Sequence, residues 1–281
     1  MNKRSIKLIK PKLFIVKFLA VFGAFWLVIE PLGLFFPEEL DFGLLGYTFL
    51  FTISLVAAFW LSLPKSIIFC SLSSPNSTIT IKVGDIFKEN GHLVIGMNDV
   101  FDTEVGEIIR QDSIQGQFLD RIYKGDRERL DKDIYNALKE VRDKAIQDPS
   151  KVRGKNQRYP IGTTITLGSE GHRYFLNAYG RMGSDLRVKA TAYGISASLR
   201  SLWEEVRIKG HNYDVSIPVI ASGLARTNLP RMFLIKMIIM SFIATSKENI
   251  ITKNLNIIIY DKDIDDVDMN ELEYFLRSTC F

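Results

Sequence analysis

The stretch IPVIASGLARTNLP (residues 217–230) decides the fold. Ile217, Val219 and Ile220 are apolar and β-prone, the pattern of a buried strand. Ala221, Ser222, Gly223 and Ala225 then carry almost no side-chain bulk. Thr227 and Asn228 can cap a helix, and Pro230 fits its first turn. A strand that breaks into small residues and starts a helix is one repeat of a layered α/β domain, and ligands in such sheets sit beyond the carboxyl ends of the strands. Two explanations account for the missing bulk. An anion approaches the bare N–H groups of a helix amino terminus, or the chain simply turns tightly there. The stretch is neither a Walker loop nor GxGxxG, so both stand.

Working outward, the strand at 215–220 is followed by a helix over about 230–245, the strand LNIIIY (255–260) and a last helix over 269–277. Upstream, TTITL and RYFLNAY flank GSEG and predict a β-hairpin, with a helix over 186–207 after it. Leu130, Ile134, Leu138 and Val141 mark the apolar face of a helix over 127–147. Short strands are expected at 79–83 and 93–95. The latter part thus alternates strand and helix, as parallel neighbours in one sheet do.

The chain has 281 residues, enough for one soluble domain plus a membrane segment. Residues 18–36 are apolar except for Glu30, and 43–63 carry no charge. Each is close to the roughly 20 residues that a spanning helix needs. Trp26, Tyr47 and Trp60 suit the membrane interfaces. PEELD (37–41), between the spans, has no Lys or Arg, whereas Lys3, Arg4, Lys7, Lys10, Lys12 and Lys17 crowd the amino terminus and Lys65 follows the second span. The positive-inside rule predicts both termini in the cytoplasm. The expected organisation is a basic cytoplasmic segment 1–17, two spans within 18–63, a polar linker 64–78 (SLSSPNST at its end) and a soluble domain 79–281. The place expected is a cell inner membrane crossed twice. Glu30 precedes Pro31 near the outer end and is expected to snorkel. Gly23, Gly33, Gly43 and Gly46 offer sites for close helix contact without a GxxxG motif. The apolar run 232–244, interrupted by Lys236, reads as a core helix.

Cys70 and Cys280 lie far apart in the chain, and with three histidines they make no metal-ligand spacing. They read as reduced thiols. DKDIDDVD (261–268) lacks the glycine and terminal Glu of an EF-hand and reads as an exposed acidic loop. KVRGKNQR (151–158) reads as a solvated or lipid-facing basic loop, and no nucleic-acid partner is expected. Ser222 has no GxSxG context for a nucleophile.

Four segments together resemble the macro domains, modules that recognise ADP-ribose and its relatives. They are IKVGDIF (81–87), LVIGMND (93–99), the hairpin PIGTTITL to RYFLNAYGRMG, and IPVIASGLAR. The resemblance covers about 79–277, and its sharp parts are GDI and the small-residue loop. It implies a layered mixed sheet flanked by helices. It places Asp85 and Ile86 against adenine, Asn98 in the ribose loop, Ser222, Gly223, Leu224, Ala225 and Arg226 around the diphosphate, and Tyr260 near the adenosine. GMNDVFDTEVG (96–106) and DSIQGQF (112–118) look like the first ligand loop of a subgroup, the macro-domain effectors of bacterial Thoeris antiphage systems. This adds Phe101, Asp102, Thr103, Ser113 and Gly116 as ligand candidates.

The resemblance implies a ligand that is an ADP-ribose derivative made by a partner TIR-domain enzyme, with no resident cofactor or metal. It also implies an effector that acts on the lipid bilayer, read here as working through a homo-oligomer. Ile95 stands where the hydrolytic members have the first Asn of NAAN, and the long glycine run of the usual first phosphate loop is absent. Both departures favour a non-catalytic reader. The rivals are a membrane-tethered ADP-ribosyl hydrolase and a membrane-anchored protein-interaction module.

Overall fold

The computed structural model describes residues 11–35, 43–63, 65–222 and 227–280. The chain divides into two compact units, Met1–Lys65 and Ser66–Phe281.

The first unit is a pair of helices, α1 (Pro11–Phe35) and α2 (Gly43–Ser62), both long and apolar enough to cross a membrane. α1 begins earlier than the apolar run and takes in Lys12 and Lys17, whose amine reaches the Leu61 carbonyl. The helices pack through an aromatic cluster, with Phe18 edge-on to Phe51 at 5.2 Å and Phe22 edge-on to Tyr47 at 6.2 Å. The buried stripe of α2 is Leu50, Ser54, Ala58 and Ser62, four apart and small at every position but the first. Gly23 and Gly33 are not needed for close packing in this unit, since a Cβ at either would meet nothing within 4 Å. A cavity of about 640 Å³ between the helices is lined by Phe25, Trp26, Glu30 and Tyr47 among others. The basic residues of 1–10 and the PEELD turn lie outside the described residues.

The second unit is built on a mixed sheet. Its strands are β1 (Ile67–Leu72), β2 (Ser77–Val83), β3 (His92–Asn98), β6 (Thr164–Ser169), β7 (His172–Met182), β8 (Val188–Lys189), β9 (Val215–Pro218) and β10 (Asn254–Ile259). β4 (Ile146–Gln147) and β5 (Gln157–Arg158) form a separate short ribbon. The order is β1-β2-β10-β9-β3-β7-β6, with β8 on β7. β2, β10, β9, β3 and β7 run parallel, and the pairings of β1, β6 and β8 are antiparallel.

Alternation along the strands feeds two cores, as a pleated sheet covered on both faces requires. In β3, Val94 packs with α5 (Ala192–Lys209), α6 (Arg231–Glu248) and α7 (Met269–Thr279), while Leu93, Ile95 and Met97 pack with α3 (Ile114–Arg121) and α4 (Arg127–Leu138). α5 buries Ile195, Ser198, Leu199, Leu202, Trp203 and Val206, one stripe at helical spacing. α6 is a core helix, as its sequence predicts, with Leu234, Ile238, Ile239 and Phe242 fully buried.

Several boundaries differ from expectation. The stretch expected as a linker contains β1, and SLSSPNST is the end of β1, the turn and the start of β2. Alternating Ile68 and Leu72 bury that strand beneath α7. The helix expected from 186 starts at Ala192. Leu186 has φ 58°, Val188 and Lys189 pair with β7, and the Thr191 hydroxyl caps the helix by accepting from the Gly194 N–H. The helix expected to reach 147 ends at Leu138, tightens into a 3-10 turn over Lys139–Lys144 and enters β4. α6 is capped at Pro230 rather than by Thr227 or Asn228. The two thiols, remote in sequence, join one core cluster because α7 lies over β1. Burial and the neighbouring Cys70 push the Cys280 thiol up to about 12.

Candidate functional site

The parallel registers bring four chain ends to one edge of the sheet. Ile259 of β10 lies opposite Val83 of β2, and Ile258 lies opposite Pro218 of β9, so Asp85, Tyr260 and Val219 leave from neighbouring positions. The β3–β9 ladder stops after Leu93–Ser216, although β3 continues beside β7 to Asn98. Beyond that point the two central strands share no ladder, which is where a doubly wound sheet opens its ligand crevice. The segments leaving this edge carry Asp85, Asn98, Ser222 and Tyr260.

Asp85 caps a 3-10 turn over Ile86–Lys88 by accepting from the Phe87 N–H at 3.0 Å. Its other oxygen takes the Arg121 guanidinium at 2.8 Å, and that guanidinium lies 4.9 Å from the centre of the Phe87 ring. Burial would raise the carboxyl. The Arg121 and Phe87 hydrogen bonds outweigh it and hold Asp85 below the usual carboxylate range. Asp85 is therefore a charged acceptor, half-buried and already oriented. Ile86 is 2% exposed, so a ligand meets its backbone rather than its side chain. Tyr260 is exposed beside it, with the Lys262 amine 5.9 Å from its ring.

On the β9 side, Ala221 has φ 59° and Asn228 φ 52°. Both are left-handed positions that favour glycine, and they bracket the small-residue loop. The Ser222 hydroxyl donates to the Val219 carbonyl at 2.7 Å. Gly223, Leu224, Ala225 and Arg226 lie outside the described residues. The first turn of α6 has no side-chain cap.

The loop after β3 is pinned from within by Asn98. Asn98 is buried, and its side-chain oxygen accepts from the N–H groups of Val100 (3.2 Å) and Asp102 (3.1 Å). The Asp99 N–H goes to the Gly180 carbonyl and the Phe101 N–H to the Asn98 carbonyl. All four N–H groups of 99–102 are thus taken, so this loop offers a diphosphate none of them. The Asn98 amide nitrogen has no partner among the described residues, which leaves a buried NH2 group free to donate to a ligand oxygen. Phe101 (φ 52°) is fully buried with its ring edge-on to Tyr159 at 5.7 Å, and Asp102 is 1% exposed. Both are ligand candidates by resemblance, and in this structure their side chains pack inside the loop. The Thr103 hydroxyl donates to Asp131 at 2.6 Å. Ser113 caps α3 by accepting from the Gly116 N–H, and a Cβ on Gly116 would come within 2.4 Å of the Arg110 carbonyl oxygen. These two residues serve the helix start.

The basic run 151–158, expected as a solvated or lipid-facing loop, instead folds against this loop. Lys151 is buried, with its ammonium 3.0 Å from Asp102, 2.6 Å from the Arg153 carbonyl and 2.7 Å from the Lys155 carbonyl. The Lys155 N–H donates to Asp102 at 2.7 Å, and its amine donates to the Phe101 carbonyl at 2.9 Å and pairs with Asp131. Arg158 joins Asp99 at 2.7 Å and Asp148 at 2.5 Å. Among the described residues no group of three or more His, Cys, Asp or Glu is placed to hold a metal ion. The acidic run 261–268 is a 3-10 turn and helix cap in which Asp263 and Asp266 clasp Arg231.

The family model described as Thoeris protein ThsA, Macro domain, matches residues 79–260, more than half of the chain. Thoeris protein ThsA of Bacillus amyloliquefaciens (strain Y2) is 29% identical over 161 residues, which are 56% of this chain and 52% of that protein. The chain thus spans about half the length of this curated relative. An asparagine-to-alanine mutant of the Oceanobacillus iheyensis macrodomain superposes with TM-score 0.50 at 16% identity, over 76% of this chain and 96% of that one. The same macrodomain with ADP gives TM-score 0.45 at 14% identity, over 76% and 100%.

Proposed function

Because the chain belongs to the family of Thoeris ThsA macro domains, we propose that it is a membrane-anchored effector of antiphage defence that reads an ADP-ribose derivative. The observation that carries this reading is the convergence of Asp85, Tyr260, the Ala221–Ser222 turn and the buried Asn98 amide on one edge of the sheet. Asp85 accepts from the adenine amino group, Tyr260 flanks the adenosine, and the unpaired Asn98 amide donates to a ribose oxygen. The diphosphate rests on the loop of Ser222, Gly223, Leu224, Ala225 and Arg226. The signal comes from a TIR-domain enzyme that consumes NAD.

The chain acts as a reader, not a hydrolase. Ile95 supports this, being a fully buried core residue where a catalytic member carries Asn. Ligand binding then favours an oligomer whose paired apolar helices disturb the inner membrane, with both termini on the cytoplasmic side. A ligand shifts an equilibrium only by its preference for one state, so the liganded domain must assemble better than the free one.

The test is calorimetric titration of the full chain in lipid nanodiscs with ADP-ribose, NAD and ADP-ribose conjugates. Binding is expected for at least one ADP-ribose compound and is abolished by Gly223→Glu. Asp85→Ala weakens it about tenfold or more, the order of one charge-assisted hydrogen bond. Steady heat of turnover in place of a binding isotherm would establish the hydrolase. No response to any compound would remove the ligand reading.

A further inference from the structure

We propose that residues 148–158 are a strap that presets the loop after β3 for ligand, with Lys151, Gly154 and Lys155 as positioning residues, a role that presupposes the ADP-ribose-type ligand proposed above. The contacts bracket the strained residue of that loop. Phe101 holds φ 52° with its ring fully buried, a conformation that persists in a bulky residue only when its surroundings over-determine it. Arg158 grips Asp99 on one side, the Lys155 amine takes the Phe101 carbonyl itself, and Lys151 with the Lys155 N–H takes both carboxylate oxygens of Asp102 on the other.

Gly154 makes the bracket possible. It has φ +70°, and a Cβ there would lie 2.5 Å from the Asp102 carboxylate, 2.6 Å from Ile108 Cδ1 and 2.9 Å from Lys151 Nζ. A buried ion pair is a poor source of stability compared with apolar packing of the same volume. It does hold one geometry, since each partner is costly to leave unpaired. Here the geometry held is that of 98–102, the segment in which the Asn98 oxygen spans two N–H groups and its amide NH2 has no partner among the described residues. A site contributes most affinity when its groups are already placed. The strap therefore acts on binding through loop order, without touching the ligand.

The experiment compares wild type, Lys151→Met and Gly154→Ala as full chains in nanodiscs. Three quantities are measured: thermal midpoint, ADP-ribose affinity of the folded protein, and hydrogen exchange at residues 99–102 without ligand. Gly154→Ala keeps every charge and serves if Lys151→Met does not fold. The expected result is at least tenfold faster exchange confined to the loop after β3 and at least tenfold weaker binding, at temperatures where the variant remains folded. A variant with a lowered midpoint whose folded fraction binds within twofold of wild type would overturn the proposal and leave the strap a structural brace. Absence of binding by wild type is a different result, which removes the ligand reading and the strap's role with it.

Discussion

At the residue scale, single side chains here serve the backbone before they serve a ligand. His92 shows this outside the site. It is fully buried, its Nε2 is 2.9 Å from the Gly210 carbonyl, and its Nδ1 accepts from the Arg173 N–H at 3.0 Å. That pairing needs the neutral ring with its proton on Nε2. Burial lowers its pKa from 6.5, against the Gly210 contact. The folded state thus binds the His92 proton less readily than the unfolded chain does. The stability tied to the neutral ring is complete above pH 6.5 and is lost as pH falls from there toward the folded value. The unfolding midpoint of wild type is expected to drop between pH 7 and pH 5, and His92→Gln is expected to flatten that slope; a pH series of thermal melts checks both. Gly116 gives a second prediction. Gly116→Ala places a methyl against the Arg110 and Gln111 carbonyls, and overpacking against backbone costs about 1–3 kcal/mol. For a domain of this size that is about 2–4 °C per kcal/mol in the thermal midpoint.

At the element scale, β1 decides what counts as the domain. The polar SLSSPNST reads as a linker, yet residues 67–72 add a strand to β2 and bury Ile68 and Leu72 at 3% and 2% exposure. Each such side chain contributes about 1.5–3 kcal/mol when buried, and without β1 the strand β2 becomes an uncovered edge prone to pairing with other chains. A fragment starting at residue 78 is expected to be less soluble and to melt lower than one starting at Ser66, as size-exclusion chromatography and thermal melts would register. The strap is the other element invisible to pattern. β4 and β5 are two residues each, too short for any alternation, and the run between them carries Lys151, Arg153 and Lys155, which composition alone assigns to a solvated surface.

At the scale of the whole molecule, the two units divide the proposed work: Ser66–Phe281 reads the signal and α1 with α2 delivers it. In vesicles of anionic lipid, the full chain is expected to release trapped dye only when the ADP-ribose compound that binds it is present, whereas the chain from Ser66 onward binds and releases none. Release without ligand would contradict ligand-gated action. What the sequence by itself determined are features set by short-range pattern: two apolar runs of spanning length, the period-two and helical stripes of the sheet and its helices, and the small-residue break at 221–225. The pattern gives the layered α/β class, and the family is reached only through the resemblance that segments such as GDI and ASGLAR carry. Only the tertiary structure decided which polar groups are already occupied. Arg121 reaches Asp85 across 36 residues and Lys151 reaches Asp102 across 49. Those pairings occupy the carboxylates of two ligand candidates and fold an expected surface patch against the loop after β3. Periodicity is a property of neighbours along the chain, but the partner of a buried charge is fixed by which strands lie side by side and in which register, and no local spacing encodes that.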